Sequence, residues 1–211
     1  MFESFPGNSS ERLDRKAYHQ DFYRVFESGI RHLRKLERGQ HFKEKGFASW
    51  EAFAAGEWEE ALSLVEEKRK LYTEQFRDAA DRGVLQRRLR VVEFPVTPYV
   101  QWEFHVLRLR VELGDNIRVI DARAISDIEM HRPVPEVVIL GDRVMYEVLY
   151  DDGNAAGANR FTDPELIAET STGFDTLYDR AEDFLGFFDR EISPLPPPLV
   201  GDRVPAHHGQ R

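Results

Sequence analysis

Apolar residues recur every three or four positions in some stretches of the chain and every second position in others, and these two periods lay out its elements. Leu13, Ala17, Phe22, Val25 and Phe26 have helical spacing, with Gly29 placed to end the helix. Leu33, Lys35 and Glu37 then alternate with Arg34, Leu36 and Arg38, a weak strand whose charge suits a sheet edge. Ser49 is placed to cap a helix from Trp50. Beyond Gly56, the run Trp58, Ala61, Leu62, Val65, Tyr72, Phe76, Ala79 and Ala80 predicts one long helix, stopped at Gly83. Period two returns in "VLQRRLRVVEFP", with Leu85, Leu89 and Val91 on one face.

Thr97 as cap and Pro98 at the first helical position open a helix that buries Trp102, Val106, Leu109 and Leu113 and stops at Gly114. "NIRVIDA" reads as a strand, and Gly141-Asp142 folds "RVMYEVLY" back on "EVVIL" as a hairpin. In that second arm Val144, Tyr146, Val148 and Tyr150 face one side and Met145, Glu147 and Leu149 the other. "DDGNAAGAN" reads as a Gly- and Ala-rich loop. Asp163 and Pro164 then start a helix, with a break expected near Gly173, and Phe174, Leu177, Tyr178, Ala181, Phe184, Leu185 and Phe188 form one apolar stripe that docks on the sheet. The order predicts a single α/β domain over 13–192, a mixed sheet with helices on both faces. A flexible lead-in over 1–12 precedes it, and a proline-rich disordered tail over 193–211 follows.

Composition narrows the chemistry. In 211 residues there is no cysteine, which removes disulfides, thiolate catalysis and cysteine-bound zinc and suits a reducing compartment. No signal peptide and no stretch of ~20 apolar residues is evident, so a cytoplasmic location is expected, with no membrane partner. The net charge of −9 disfavours direct nucleic-acid binding, leaving "LQRRLR" as the one basic candidate. Arg87, Arg88 and Arg90 read most simply as a solvated strand face near Glu37 or Glu93, and otherwise as a site for an anion or acidic partner.

No nucleophile elbow, phosphate loop or paired-histidine zinc motif occurs. The seven histidines make no helical i,i+4 pair, and His207-His208 lies in the tail, so neither a metal nor a cofactor is expected. Tyr99, Trp102 and Val106 share a helix face with Glu103 beside it. Trp102 is most simply core, while Tyr99, Gln101 and Glu103 are polar enough to line a cleft. Asp151-Asp152-Gly153 is most simply a turn.

Taken together, "KLERGQHF", "SWEAFAAGEWEEAL", "RVVEFPVTPYVQWEFHVLRLR", "EVVILGDRVMYEVLYDD" and "RFTDPEL" resemble an actinobacterial family of uncharacterised proteins often encoded near helix-turn-helix regulators. Residues 97–184 also resemble the phospholipase-D-like modules that act as sensor domains in some transcriptional regulators. Active members of that superfamily carry His-x-Lys on the hairpin strand, where this chain has Tyr146-Glu147-Val148. The resemblance therefore implies a phospholipase-D-like fold without phosphodiester chemistry.

The expectation is a non-catalytic regulatory or sensor module binding a small ligand or a partner protein such as a DNA-binding regulator. The residues expected to carry this are Arg90, Tyr99, Trp102, Glu103, Tyr146, Glu147, Tyr150 and Asp151. The alternative is an enzyme whose Glu103, His105, Glu147 and Asp151 converge as acid/base groups in one cleft.

Overall fold

The computed structural model describes Phe5 and residues 10–200, so most of the expected lead-in, residues 201–211 and the His207-His208 pair lie outside the described residues. In chain order the elements are β1 (Glu11–Asp14), α1 (Arg15–Glu27), β2 (His32–Glu37), α2 (Ala48–Ala54), α3 (Trp58–Glu66), α4 (Arg69–Asp81), β3 (Leu85–Val92) and α5 (Pro98–Glu112). There follow β4 (Ile117–Asp121), β5 (Val137–Leu140), β6 (Val144–Asp151), β7 (Asn154–Phe161), α6 (Pro164–Arg180), β8 (Glu182–Asp183) and α7 (Phe184–Phe187). The strands form one open eight-stranded sheet in the order β1-β7-β6-β5-β2-β3-β4-β8. β2, β3 and β4 run parallel, and the remaining pairs are antiparallel.

Helices cover both faces, as the element order predicts. On one face α6 buries Phe174 and Leu177 against Leu36, Leu89, Val91, Ile120 and Met145. On the other, α1 and the end of α4 pack over β5, β6 and β7 through Val25 and Ala79. α2, α3, α5 and α7 pack over β3 and β4 on that same face. Between these two helical groups runs a seam over β2 and β3. Among the described residues no helix is long and apolar enough to cross a membrane.

Several local signals act as read. The Thr97 hydroxyl accepts from the Val100 amide at 3.1 Å with Pro98 beside it, and the Asp163 carboxylate accepts from the Glu165 amide at 2.9 Å. Gly141-Asp142 does turn β5 into β6.

Other expectations need correction. β2 is not an edge strand but lies between β5 and β3. It tolerates that place because Arg34 forms a two-pronged pair with Asp175 of α6 while Lys35 and Glu37 pair on the opposite face. Ser49 does not cap; Phe47 holds the cap position, and the Ser49 hydroxyl is buried, donating to the Ala61 carbonyl at 2.8 Å. The long helix is two, α3 and α4, divided by a tight turn in which the Lys68 amide donates to the Val65 carbonyl. α3 can then lie on α5 while α4 swings toward β3. α6 runs unbroken through Gly173.

The expected loop after Asp152 is instead β7. Asp152 at φ 45° and Gly153 at φ 75° make the two left-handed positions of a tight hairpin, and β7 pairs with β6 from end to end with one register shift between Leu149 and Tyr150. The C-terminal apolar stripe is divided: Phe174, Leu177, Tyr178 and Ala181 face the α6 side, whereas Phe184, Phe187 and Phe188 pack on the other. The chain rounds the sheet edge between them, because Ala181 is extended and β8 pairs with β4.

Gly157 is where β1 meets β7: its φ is +132°, and a Cβ there would sit 2.1 Å from the Leu13 carbonyl oxygen. Gly157→Ala is expected to cost at least about 2 kcal/mol and to free β1 from the sheet. Hydrogen exchange of the β1 amides checks this; unchanged protection there would refute it.

Candidate functional site

The seam is charged because of strand alternation. Lys35 pairs across the ladder with Arg88, and Glu37 with Arg90, so all four side chains rise from the same face of β2 and β3. Lys35 Nζ lies 2.6 Å from Glu37, and Arg88 Nη1 donates to Glu37 Oε2 at 2.7 Å. Arg90 Nε donates to Glu103 Oε2 of α5 at 2.8 Å, and its Nη1 donates to the Val91 carbonyl at 2.9 Å. Arg90 is 0% exposed. Burial pushes the Glu103 carboxyl up, opposed by Arg90 and reinforced by Glu37. Burial would raise Glu37 too, but Arg88, Lys35 and Arg90 outweigh it and hold that carboxyl well below the usual range.

This corrects the solvated arginine face. Alternation sends Arg87 to the α6 side, where it meets Asp175 at 3.2 Å, while Arg88 and Arg90 turn inward. Glu37 is indeed a partner of Arg88, whereas Glu93 pairs with Arg38. "LQRRLR" is therefore not a surface strip. Arg90 Nη2 and Arg88 Nε are buried without a hydrogen-bond partner among the described residues, the latter 4.0 Å from Asp115.

α5 forms the wall above this floor. Its capped start turns Tyr99, Trp102 and Glu103 toward the sheet. The Tyr99 hydroxyl donates to Glu44 at 3.2 Å, and the Trp102 indole donates to the Ser49 hydroxyl at 3.0 Å, fixing the ring. A cavity of about 250 Å³ opens here, lined by Tyr99, Trp102 and Glu103 together with Arg88. A second, of about 330 Å³, opens between α1, residues 42–45 and the β6–β7 hairpin, and Tyr150 lines it. Both share Lys35, Glu37 and Glu44 as a common wall, so the two adjoin as compartments on either side of it, together called the groove. A larger cavity of about 660 Å³ beside Ile167 of α6 lacks such a floor, and buried charge rather than size marks the site.

Of the expected site residues, Tyr99, Trp102, Glu103 and Tyr150 line the groove and Arg90 lies beneath it. Tyr150 stacks on Phe42 at 4.4 Å between ring centres. Tyr146 shares the strand face but is wholly buried, donating to Asp21 at 2.6 Å and packing on Tyr18. Glu147 points to the opposite face of β6 and accepts from Asn159 at 2.9 Å. Asp151 is exposed at the strand end, outside both compartments. His105 packs against Trp58 and Phe188 at 5.2 and 5.1 Å. Glu103, His105, Glu147 and Asp151 thus do not converge on one cleft.

Lys35, Glu37 and Glu44 were not among the expected residues. Their signal was present in the i,i+2 charges Lys35-Glu37 and Arg88-Arg90, which fit a covered strand only if they meet one another. Among the described residues no group of three or more His, Asp or Glu is arranged to hold a metal ion.

Two outcomes follow from these placements. Arg90→Met should destabilise the protein by about 3–5 kcal/mol by stranding Glu103, and adding Glu103→Leu should recover most of that loss. Urea denaturation of both variants checks it, and a double variant no better than the single would show that the pair is not the unit. Burial, with Arg108 nearby, lowers His105 from 6.5 to about 4. Its depressed folded value gives stability that is present above pH 6.5 and lost as pH falls toward 4. With partial exposure discounted, His105→Phe should lose about 1–2 kcal/mol less than wild type from pH 7 to 4. Equal acid sensitivity in the two proteins would refute this.

No curated protein matches the chain. A family model described as a domain of unknown function, DUF6879, matches residues 20–189, which takes in β2 to β8 and the whole charged floor. The chain belongs to this DUF6879 domain family.

Proposed function

We propose that this domain is a non-catalytic regulatory module that binds a small polar ligand in the groove and conveys its occupancy to a partner protein. One observation carries the reading: two adjoining compartments stand over a floor of buried ion pairs in which two guanidinium nitrogens have no hydrogen-bond partner among the described residues. Unpaired buried donors cost free energy, and folds retain them where a bound group or a functional need offsets that cost. Polar groups converging on a concave surface are what small-ligand sites present.

The partner on this reading is a basic DNA-binding protein, whose charge complements the net −9 of this chain. The resemblance to families encoded beside helix-turn-helix regulators supports that choice. Resemblance to phospholipase-D-like sensor modules supports binding without turnover, since Tyr146-Glu147-Val148 replaces the reactive motif. Such a module works in the cytoplasm, where a cysteine-free chain is at home.

The test is a thermal-shift screen of a metabolite library on the wild type and on Glu44→Ala, which alters the shared wall at an exposed residue. A ligand at a hundred times its Kd adds about 2.7 kcal/mol, a rise of roughly 5–10 °C in Tm for a domain of this size. Glu44→Ala should change that rise. A library without hits, or hits indifferent to Glu44, would overturn the reading.

A further inference from the structure

Charge within the groove is not shared evenly. The compartment beneath α1 is lined by four cations, Arg15, Lys35, Lys43 and Lys45, against two carboxylates, Glu37 and Glu44. Lys35 is committed to Glu37, and Lys43 pairs with Asp152 at 2.5 Å. Glu44 accepts from Tyr99. Arg15 and Lys45 enter no hydrogen bond or ion pair within the described residues, and both are exposed at the rim. A chain of net charge −9 thus places two cations without an ion pair at one concavity, against the single unpaired carboxylate of Glu44, with His19 beside them.

Tyr18 and Tyr150 face the same space, and neither hydroxyl has a hydrogen-bond partner among the described residues. Both phenols are protonated at neutral pH and act as donors, and desolvation pushes their titration further up. Val148 and Ala155 give the compartment some apolar wall, and 330 Å³ admits an organic molecule rather than a bare ion.

We propose that this compartment binds a small organic dianion, a phosphate monoester or a dicarboxylate, held by Arg15 and Lys45 with the Tyr18 and Tyr150 hydroxyls as neutral donors. Arg15 and Lys45 can each take one negative charge of a dianion, and together they outnumber Glu44, the one lining carboxylate whose partner is a neutral phenol, so an anion is favoured and a cation meets repulsion. A phosphate monoester carries close to two charges at neutral pH, and a dicarboxylate carries two. This assignment rests on the reading of the groove as a ligand site and specifies which ligands enter it.

Amide chemical-shift titration of the full chain tests it, with glucose 6-phosphate and malate as dianions, lactate as monoanion, putrescine as dication and inorganic phosphate as bare ion. Saturable shifts at Lys43, Lys45, Tyr150 and Gly153 are expected with at least one organic dianion. Arg15→Ala and Lys45→Ala should each weaken binding at least ten-fold, while Lys70→Glu on α4 should leave it unchanged. Whichever dianion binds identifies the source of charge. Inorganic phosphate binding as tightly as the organic dianions would overturn an organic ligand, and preference for lactate or putrescine would overturn the dianion. Dianion binding unaffected by Arg15→Ala and Lys45→Ala would place the ligand elsewhere. Silence of all probes beside a library hit mapping to the groove would overturn this assignment alone; silence in both experiments would overturn the groove reading too.

Discussion

The pairing of Glu37 with Arg88, and of Arg90 with Glu103, is the constraint around which the rest of the molecule is arranged. Charges in the middle of a sheet are expensive to desolvate, and a pair there contributes less to net stability than its short distances suggest. What it supplies is uniqueness. Slipping β3 by one residue against β2 would turn Arg88 and Arg90 into the apolar layer under α6 and expose Leu89 and Val91 to the charged seam. The same pair places α5, because the helix must bring Glu103 over β3 to meet Arg90 Nε. From that placement come the position of Tyr99, the locking of Trp102 and the groove itself.

Much of the fold was legible in the sequence wherever one residue type has one physical use. Thr97-Pro98, Asp163-Pro164 and Gly83 mark helix ends because their side chains or backbone freedom suit few other places. Legibility failed where tertiary partners override local preference. β2 looks like an edge because its charges have no visible partners until β3 and α6 are in place. β7 looks like a loop because "NAAGAN" has little strand propensity, yet it is held on both sides by β6 and β1. The apolar stripe after Phe174 has unbroken periodicity but bends around a sheet edge, and periodicity carries no information about which face is being covered.

For the site, sequence reasoning found the aromatic and acidic wall of α5 and Tyr150, because polar groups next to buried rings suggest a cleft. Of the floor it named only Arg90 as a site residue. Lys35, Glu37, Arg88 and Arg90 read individually as surface, and only the parallel register of β2 with β3 turns them into one cluster. Strand alternation explains the opposite error at Glu147, which is next to Tyr146 in sequence and on the other side of the sheet in space.

The open sheet ends in two very short strands, the four residues of β1 and the two of β8. Their sequences, Glu-Arg-Leu-Asp and Glu-Asp, put charge on almost every terminal position. An unpaired strand edge is a template on which another chain can add itself, and length and neutrality are what make that template effective. Here both ends of an eight-stranded sheet are too short and too charged to be extended, so strand addition between copies is discouraged even though the sheet never closes on itself.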